Sequence, residues 1–246
     1  TWVSLIALRL RWSLRDTLAM RGATYVLALL NYAVGQGGLA YYLHRSGVPT
    51  LRAAGMALFM MGTTFAGLIL TTTATWPFGP SGQAGGAMWW TLVIGCGGLL
   101  VYLVVIALAP RALARRELLA PLFEARIRGH LLTIAGRLPH VVIIVLGHWL
   151  AMRVWGFPVP FSLALMTMPA VVIVTALPIS PGGLGTTQAA LVYFFSDYAP
   201  GATDDARAAS VFAFAIVHFV YASVWQLLVG LACTPLTRKI QPIRSV

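Results

Sequence analysis

Residues 177–191 read LPISPGGLGTTQAAL, and this stretch interrupts an otherwise apolar part of the chain. Prolines lack a backbone N–H donor and glycines weaken helices, so the stretch does not continue as a regular helix. Hydrophobic segments flank it on both sides. At membrane depth, irregular backbone is tolerated only where it is buried in protein or lines a polar cavity. The stretch is therefore the first candidate for a functional site.

The composition is that of a membrane protein. Of the 246 residues, 59% are hydrophobic and only 9% are charged, whereas soluble domains carry about 25% charged residues. No extended polar segment is present that would form a separate soluble domain, so we expect one all-α, multi-pass transmembrane domain over residues 1–246. The net charge of +11 indicates arginine-rich cytoplasmic loops rather than nucleic-acid binding.

Four apolar stretches are long enough to cross the bilayer, namely residues 53–76, 88–109, 138–155 and 206–233. Residues 111–137 alternate basic and apolar side chains, which is typical of an amphipathic segment on the cytoplasmic leaflet. If this segment is cytoplasmic, residues 23–43 and 161–195 each enter and leave the membrane on one side, as re-entrant hairpins from opposite faces. This orientation places all 17 basic residues except Arg153 and Arg207 on the cytoplasmic side, as membrane proteins prefer.

The two expected hairpins resemble each other in sequence. QGGL at residues 36–39 parallels PGGL at residues 181–184, and the Arg-Ala-Ala that opens the following span also recurs. Residues 23–76 and 161–233, each a hairpin followed by a span, would then form an inverted repeat. Inverted repeats with broken helices at corresponding positions indicate a transporter's binding site. Chance stays an alternative, because such short strings are common in a chain rich in Gly, Leu and Ala.

Candidate ligand-binding residues lie at the two breaks and at the arginines that open the spans. Freed backbone amides and the N-terminus of a half-helix from Thr186 attract anions such as a lipid phosphate, and arginine binds two phosphate oxygens at once. The predicted substrate-binding residues are Asn31, Gln36, Gly37, Gly38, Arg52, Ser180, Gly182, Gly183, Thr186, Thr187, Gln188 and Arg207. Simpler roles stay open: Thr186 as a helix cap, the glycines as close-packing positions, and the arginines as interfacial side chains.

Motifs for catalysis and metal binding are missing from the sequence. All six acidic residues fall outside the expected spans, which argues against a carboxylate proton relay and against a carboxylate-bound Mg²⁺. The five histidines lack the spacing of a zinc site. We therefore predict no enzymatic activity, no metal and no cofactor.

Three motifs carry a resemblance to a known family: N-x4-Q-G-G-L from Asn31, S-G-V-P-x2-R-A-A from Ser46, and L-P-x-S-P-G-G-L-G-x2-Q-A-A-L from Leu177. They resemble the flippase-like membrane domain of lysylphosphatidylglycerol synthases. This resemblance, which covers about residues 9 to 233, implies a protein of the bacterial inner membrane that moves a polar lipid between leaflets. Membrane lipid would be its substrate and the bilayer its surroundings. The aminoacyl-transfer domain of the synthases has no counterpart in the sequence, so synthase activity is not implied.

The chain departs from the family pattern at both breaks. Gln36 stands where the family usually has Pro, and Gln188 stands where it usually has an acidic residue. Two other classes of function also stay open, namely a membrane enzyme acting on lipid-linked substrates and a non-transporting partner in an envelope lipid or glycan pathway. For a transporter, the tips at residues 31–39 and 178–188 are expected to meet near the midplane and to face one polar cavity.

Overall fold

The computed structural model describes residues 1–78, 85–177, 179–240 and 244–245. Within these ranges the chain forms ten α-helices: α1 Trp2–Ala7, α2 Leu14–Ala28, α3 Tyr32–Arg45, α4 Thr50–Thr75, α5 Gly85–Leu108, α6 Arg111–Ala114, α7 Ala120–Val154, α8 Phe161–Ala176, α9 Thr186–Phe195 and α10 Asp204–Cys233. Short 3-10 turns follow or connect them at Trp76–Phe78, Pro181–Gly183, Ser196–Tyr198 and Thr234–Lys239. Two two-residue strands, β1 Leu10–Arg11 and β2 Arg244–Ser245, pair antiparallel. The all-α class predicted from the sequence is confirmed.

Three helical stretches are long and apolar enough to cross a membrane, among the residues described: Thr50–Phe78, Ala120–Val154 and Asp204–Arg238. They cover the first, third and fourth of the predicted spans. The second predicted span falls on α5, where the described apolar stretch is Leu92–Leu108. Large apolar side chains of α10, including Val220, Tyr221 and Leu228, are exposed. Such lengths and such apolar surfaces are those of a helical membrane protein.

The backbone divides into two compact units. Unit 1 comprises Thr1–Ala66, Leu99–Arg137 and Val224–Val246, and unit 2 comprises Gly67–Gly98 and Leu138–Ser223. The pair α2–α3 belongs to unit 1, and the pair α8–α9 belongs to unit 2, while α4, α5, α7 and α10 contribute residues to both units. Each unit thus contains one of the two helix pairs that the sequence predicts as hairpins.

Unit 1 has a core built from α1 to α4 and the start of α7. Its largest fully buried apolar side chains are Leu5, Met20, Leu39, Leu43, Met56, Phe59 and Met60. Gly55 in α4 lies directly against the backbone that precedes α7, because a Cβ at this position would overlap the Leu118 carbonyl oxygen and lie 2.9 Å from its carbon. Small residues let backbones approach closely where lipid removes the usual hydrophobic driving force. Gly55 is therefore required by packing.

The first hairpin breaks earlier than the sequence predicts. The sequence pattern places Gly37 and Gly38 at the break, but both lie inside α3. The break falls instead before Asn31, whose Oδ1 accepts a hydrogen bond from the Ala33 backbone N–H at 2.7 Å and caps α3. Gly38 allows α3 to approach α2, since a Cβ there would lie 2.5 Å from Cδ1 of Leu27. This close packing outweighs the weak helix propensity of glycine.

The basic segment of residues 111–137 differs from the expected separate amphipathic helix. It contains the four-residue α6 and then enters α7, which begins at Ala120 and continues through Pro139 to Val154. A kink at Arg126, with φ 52° and ψ 177°, divides α7 near its start. The boundary expected at residue 137 is therefore interior to a long helix, since arginine is a good helix former. The placement of this segment on the cytoplasmic leaflet stays a prediction.

The second break lies where the sequence predicts it. Helix α8 ends at Ala176, a 3-10 turn spans Pro181–Gly183, and α9 begins at Thr186, while Pro178 lies outside the described residues. Helices α8 and α9 pack against each other and contain 16 and 10 residues, or about 24 and 15 Å at 1.5 Å per residue. Neither reaches across a hydrocarbon core of about 30 Å. Membrane re-entry and the inverted repeat stay predictions.

Candidate functional site

The candidate site is the loop between α8 and α9, together with the first turn of α9. Gly182, Gly183 and Gly185 have φ values of 57°, 79° and 88°, a region that residues with a side chain rarely adopt. At Gly183 space is also lacking, since a Cβ would lie 2.7 Å from Oγ1 of Thr187 and 2.8 Å from Cγ2 of Thr175. Backbone conformation and packing therefore both require glycine at this position.

Hydroxyl groups attach the loop to its two helices. The Oγ1 atoms of Thr175 and Thr187 are 2.8 Å apart. Thr186 donates through Oγ1 to the Gly183 carbonyl at 3.1 Å, and Ser180 Oγ lies 3.1 Å from the same Oγ1. The sequence predicts Thr186 and Thr187 as ligand donors, but both hydroxyls form contacts within the hairpin. Thr175 was missed, because a threonine on an apolar helix carries no signal in the sequence.

Gln188 places an unpaired donor at the start of α9. Its side chain is 1% exposed, and its Oε1 accepts a hydrogen bond from the Gly185 backbone N–H at 2.6 Å. Only the amide oxygen can accept from that N–H, which leaves Nε2 buried and without a partner. A buried donor without a partner costs about 1–3 kcal/mol, and the first turn of a helix adds positive potential. An acceptor oxygen of a ligand would satisfy this group.

Gln36 repeats part of this arrangement in unit 1. It lies in the second turn of α3, its side chain is 4% exposed, and its Oε1 is buried without a partner. A buried glutamine with one unpaired amide atom therefore lies near the N-terminus of the second helix in both pairs. The two Gly-Gly-Leu strings do not occupy equivalent structural positions, because Gly37 and Gly38 lie within α3, whereas Gly182 lies in the turn before α9.

Arg52 and Arg207 are both paired with carboxylates. Arg52 donates through both of its Nη atoms to Glu124, with 2.9 Å between Nη1 and Oε1, and Arg207 pairs with Asp204 one turn earlier on α10. Each arginine lies in the first turn of a long helix, as the sequence predicts. A phosphate would have to compete with the carboxylate at either position. Glu124 lies 72 residues from Arg52, so no local pattern indicates the first pair.

Unit 2 also brings two histidines together. The rings of His148 in α7 and His218 in α10 have centroids 4.5 Å apart, and His148 Nδ1 lies 2.9 Å from the Ile144 carbonyl oxygen. The spacing of the histidines in the sequence does not predict this pairing. In the part of the chain that the structure describes, no group of three or more His, Cys, Asp or Glu side chains could hold a metal ion. The pair thus forms a contact between α7 and α10.

Comparison with known proteins identifies one family. A family model described as lysylphosphatidylglycerol synthase TM region matches residues 1–230. No curated protein and no solved structure matches the chain. The family match includes both helix pairs and thus the loop that contains Gln188. It supports a membrane location and a role tied to lipid metabolism, and the chain belongs to the lysylphosphatidylglycerol synthase transmembrane-region family.

Proposed function

We propose that the protein moves a polar, phosphate-bearing lipid between the leaflets of the bacterial inner membrane and that it is not an enzyme. One observation carries this proposal: the unpaired, buried Nε2 of Gln188 at the N-terminus of α9. A phosphate oxygen would accept from this donor and would be attracted by the first turn of the helix. The family match makes a lipid the natural source of that phosphate.

The chemistry of the loop suits binding followed by release. Its ligand-binding groups would be a neutral amide and backbone N–H groups, which bind an anion less strongly than a buried guanidinium does. The hydroxyls of Ser180, Thr186 and Thr187 hold the loop in shape through contacts inside the hairpin. A transporter needs this balance, because a headgroup that bound too tightly would not leave on the other side.

A helix pair in each unit supports an alternating mechanism. Each pair is followed by a turn and a long apolar helix, α4 after α3 and α10 after α9. In transporters with inverted repeats, two such elements open the binding site to one side and then to the other. The headgroup would occupy the polar site while the acyl chains stay in the bilayer.

The proposal is tested by leaflet exchange in vesicles. Purified protein is reconstituted with a headgroup-labelled fluorescent phospholipid, and a membrane-impermeant quencher reports the fraction in the outer leaflet over time. Wild type should accelerate exchange, and Gln188→Met, which has similar length but no donor, should lose most of the acceleration. Gln226→Met in α10 is the matched control and should retain it. Exchange no faster than in protein-free vesicles would disprove transport.

The same preparation tests the absence of enzymatic activity. Wild-type vesicles containing phospholipid and a lipid-linked sugar are incubated, and the lipids are then analysed by mass spectrometry. We expect every lipid to be recovered with its mass unchanged. A new lipid product formed by wild type but not by protein-free vesicles would show that the protein is an enzyme.

A further inference from the structure

Arg137 in α7 is a buried arginine that forms no ion pair with the described residues. Its side chain is 9% exposed, and its Nε is buried with no hydrogen-bond partner. The ion pairs among the described residues join Arg52 to Glu124 and Arg207 to Asp204, and neither includes Arg137. Arginine keeps its charge in proteins, and a buried charge without a partner is strongly unfavourable. An anion bound at this position would remove that penalty.

The folding of unit 1 brings a second positive charge near Arg137. Arg21 in α2 and Tyr32, the first residue of α3, are close enough to act electrostatically on the Arg137 guanidinium. The backbone nitrogen of Thr1 is similarly close to both arginines. Among the described residues, the side chains that act on Arg137 are thus Arg21, a second cation, and Tyr32, and they include no carboxylate.

Two buried hydroxyls lie on α7 and on the helix that packs against it. Thr133, one turn before Arg137, and Ser4 in α1 both have a hydroxyl that is buried without a partner. Helix α1 packs directly on this part of α7, since a Cβ at Gly136 would lie 3.0 Å from Cγ1 of Val3. Buried hydroxyls are normally hydrogen-bonded. A polar ligand in this part of unit 1 would satisfy these hydroxyls and the unpaired Nε of Arg137.

We propose that Arg137, with Arg21, binds a phosphate group. The planar guanidinium offers two parallel donors that match two phosphate oxygens, and Arg21 adds a second positive charge. This site uses residues of unit 1 that the proposed function does not need. It rests on the proposed function only for the expectation that the phosphate belongs to a lipid headgroup.

Equilibrium binding to the purified full chain in detergent tests the site. The probes are dihexanoyl phosphatidylglycerol, dihexanoyl glycerol, which lacks the phosphate, and inorganic phosphate, with tryptophan fluorescence as the readout. Arg137→Gln should raise the Kd for phosphatidylglycerol about tenfold or more, where tenfold corresponds to about 1.4 kcal/mol. Arg128→Gln is the matched control, because it removes the same charge from an exposed side chain of the same helix. It should change the Kd by less than about twofold, as expected for a screened surface charge.

Thermal unfolding separates ligand binding from a structural role. Without added lipid, Arg137→Gln should unfold at the wild-type temperature or above it, because the substitution removes an unpaired buried charge. With phosphatidylglycerol, wild type should gain stability and Arg137→Gln should not. A structural arginine would behave in the opposite way, with a lower unfolding temperature and an intact gain from lipid. If Arg137→Gln does not fold, Arg21→Gln provides the same comparison and should also weaken binding.

The three probes identify the source of the phosphate. Tight binding of phosphatidylglycerol with weak binding of inorganic phosphate supports a headgroup site, and equal binding of both supports a site for free phosphate. Equal binding of phosphatidylglycerol and dihexanoyl glycerol, or equal Kd values for Arg137→Gln and Arg128→Gln, would overturn the inference. Absence of phosphatidylglycerol binding by wild type together with normal leaflet exchange refutes this site alone, whereas normal binding by wild type without exchange refutes transport alone.

Discussion

Replacement of Gly183 by alanine should distort the α8–α9 loop more than the same change at two other glycines. Gly183, Gly185 and Gly156 have φ values of 79°, 88° and 83°, so the three variants share a similar backbone strain. They differ in the space that a Cβ would enter. At Gly183 it would lie 2.7 Å from Thr187 Oγ1 and 2.8 Å from Thr175 Cγ2, whereas no heavy atom lies within 4 Å at the other two positions.

The size of the effect follows from two contributions. A left-handed backbone costs an L-residue about 1–2 kcal/mol, so Gly185→Ala and Gly156→Ala should each lower the free energy of unfolding by about this amount. Overpacking at Gly183 adds about 1–3 kcal/mol, part of which reflects the displaced hydroxyl contact between Thr175 and Thr187. Gly183→Ala should therefore cost about 2–5 kcal/mol by the sum of these two contributions.

Unfolding by SDS in mixed micelles measures these free energies, and the vesicle assay measures leaflet exchange in the same variants. Because the loop presents Gln188, Gly183→Ala should also lose most of the exchange activity, whereas Gly156→Ala, which lies outside the loop, should retain it. Equal stabilities of Gly183→Ala and Gly185→Ala would show that the threonines move aside, and this would refute the packing argument. Normal exchange by a folded Gly183→Ala variant would show that transport does not depend on the loop geometry.

Three further tests, with four substitutions, examine other parts of the structure. Gln188→Glu keeps the oxygen that caps the loop but replaces the free donor by a negative charge. In vesicles, this variant should exchange an anionic phospholipid about tenfold more slowly than wild type, as loss of one charge-assisted hydrogen bond predicts, and should slow exchange of a cationic lipid less. Equal slowing of both lipids would contradict headgroup recognition. Arg52→Ala should lower the free energy of unfolding by less than about 1 kcal/mol, because its ion pair with Glu124 is partly exposed; a larger loss in SDS unfolding would indicate a buried network. Gly55→Ala should lower the free energy of unfolding by about 3 kcal/mol or more, since its Cβ would meet backbone rather than a movable side chain. Gly62→Ala on the same helix has open space and should raise the free energy of unfolding by up to about 1 kcal/mol. Similar stabilities for these two variants would disprove the close contact.

The two breaks differ in how well sequence patterns predict them. The second break follows from chain-local chemistry, because the prolines and glycines of residues 178–185 disfavour a helix in any surroundings. The first break depends on Asn31 as a cap and on the fit of Gly38 against Leu27. A glycine in an apolar segment interrupts a helix in one context and allows close helix packing in another. Neighbouring helices decide between these outcomes, and a linear pattern does not include them.

A sequence pattern predicts where the arginines of the candidate sites lie along the chain, but not what surrounds them. The positions of Arg52 and Arg207 at the start of long helices follow from the apolar pattern, but the pairing of Arg52 with Glu124 joins residues far apart in the chain. The alternation of basic and apolar residues places Arg137 in an amphipathic segment on the membrane surface, whereas the structure shows it among the buried residues of unit 1. Burial of a charge depends on which helices surround it, so its importance emerges only from packing.

Composition and local backbone chemistry are enough to establish a helical membrane protein, the approximate places of its long helices and the broken segment before Thr186. These properties depend on each residue and its near neighbours along the chain. Tertiary structure decides which polar atoms remain unpaired, since hydrogen-bond partners come from other helices. It thereby changes the meaning of the Pro-Gly-rich stretch: the threonines hold the loop together, and Gln188 offers its free donor at the start of α9.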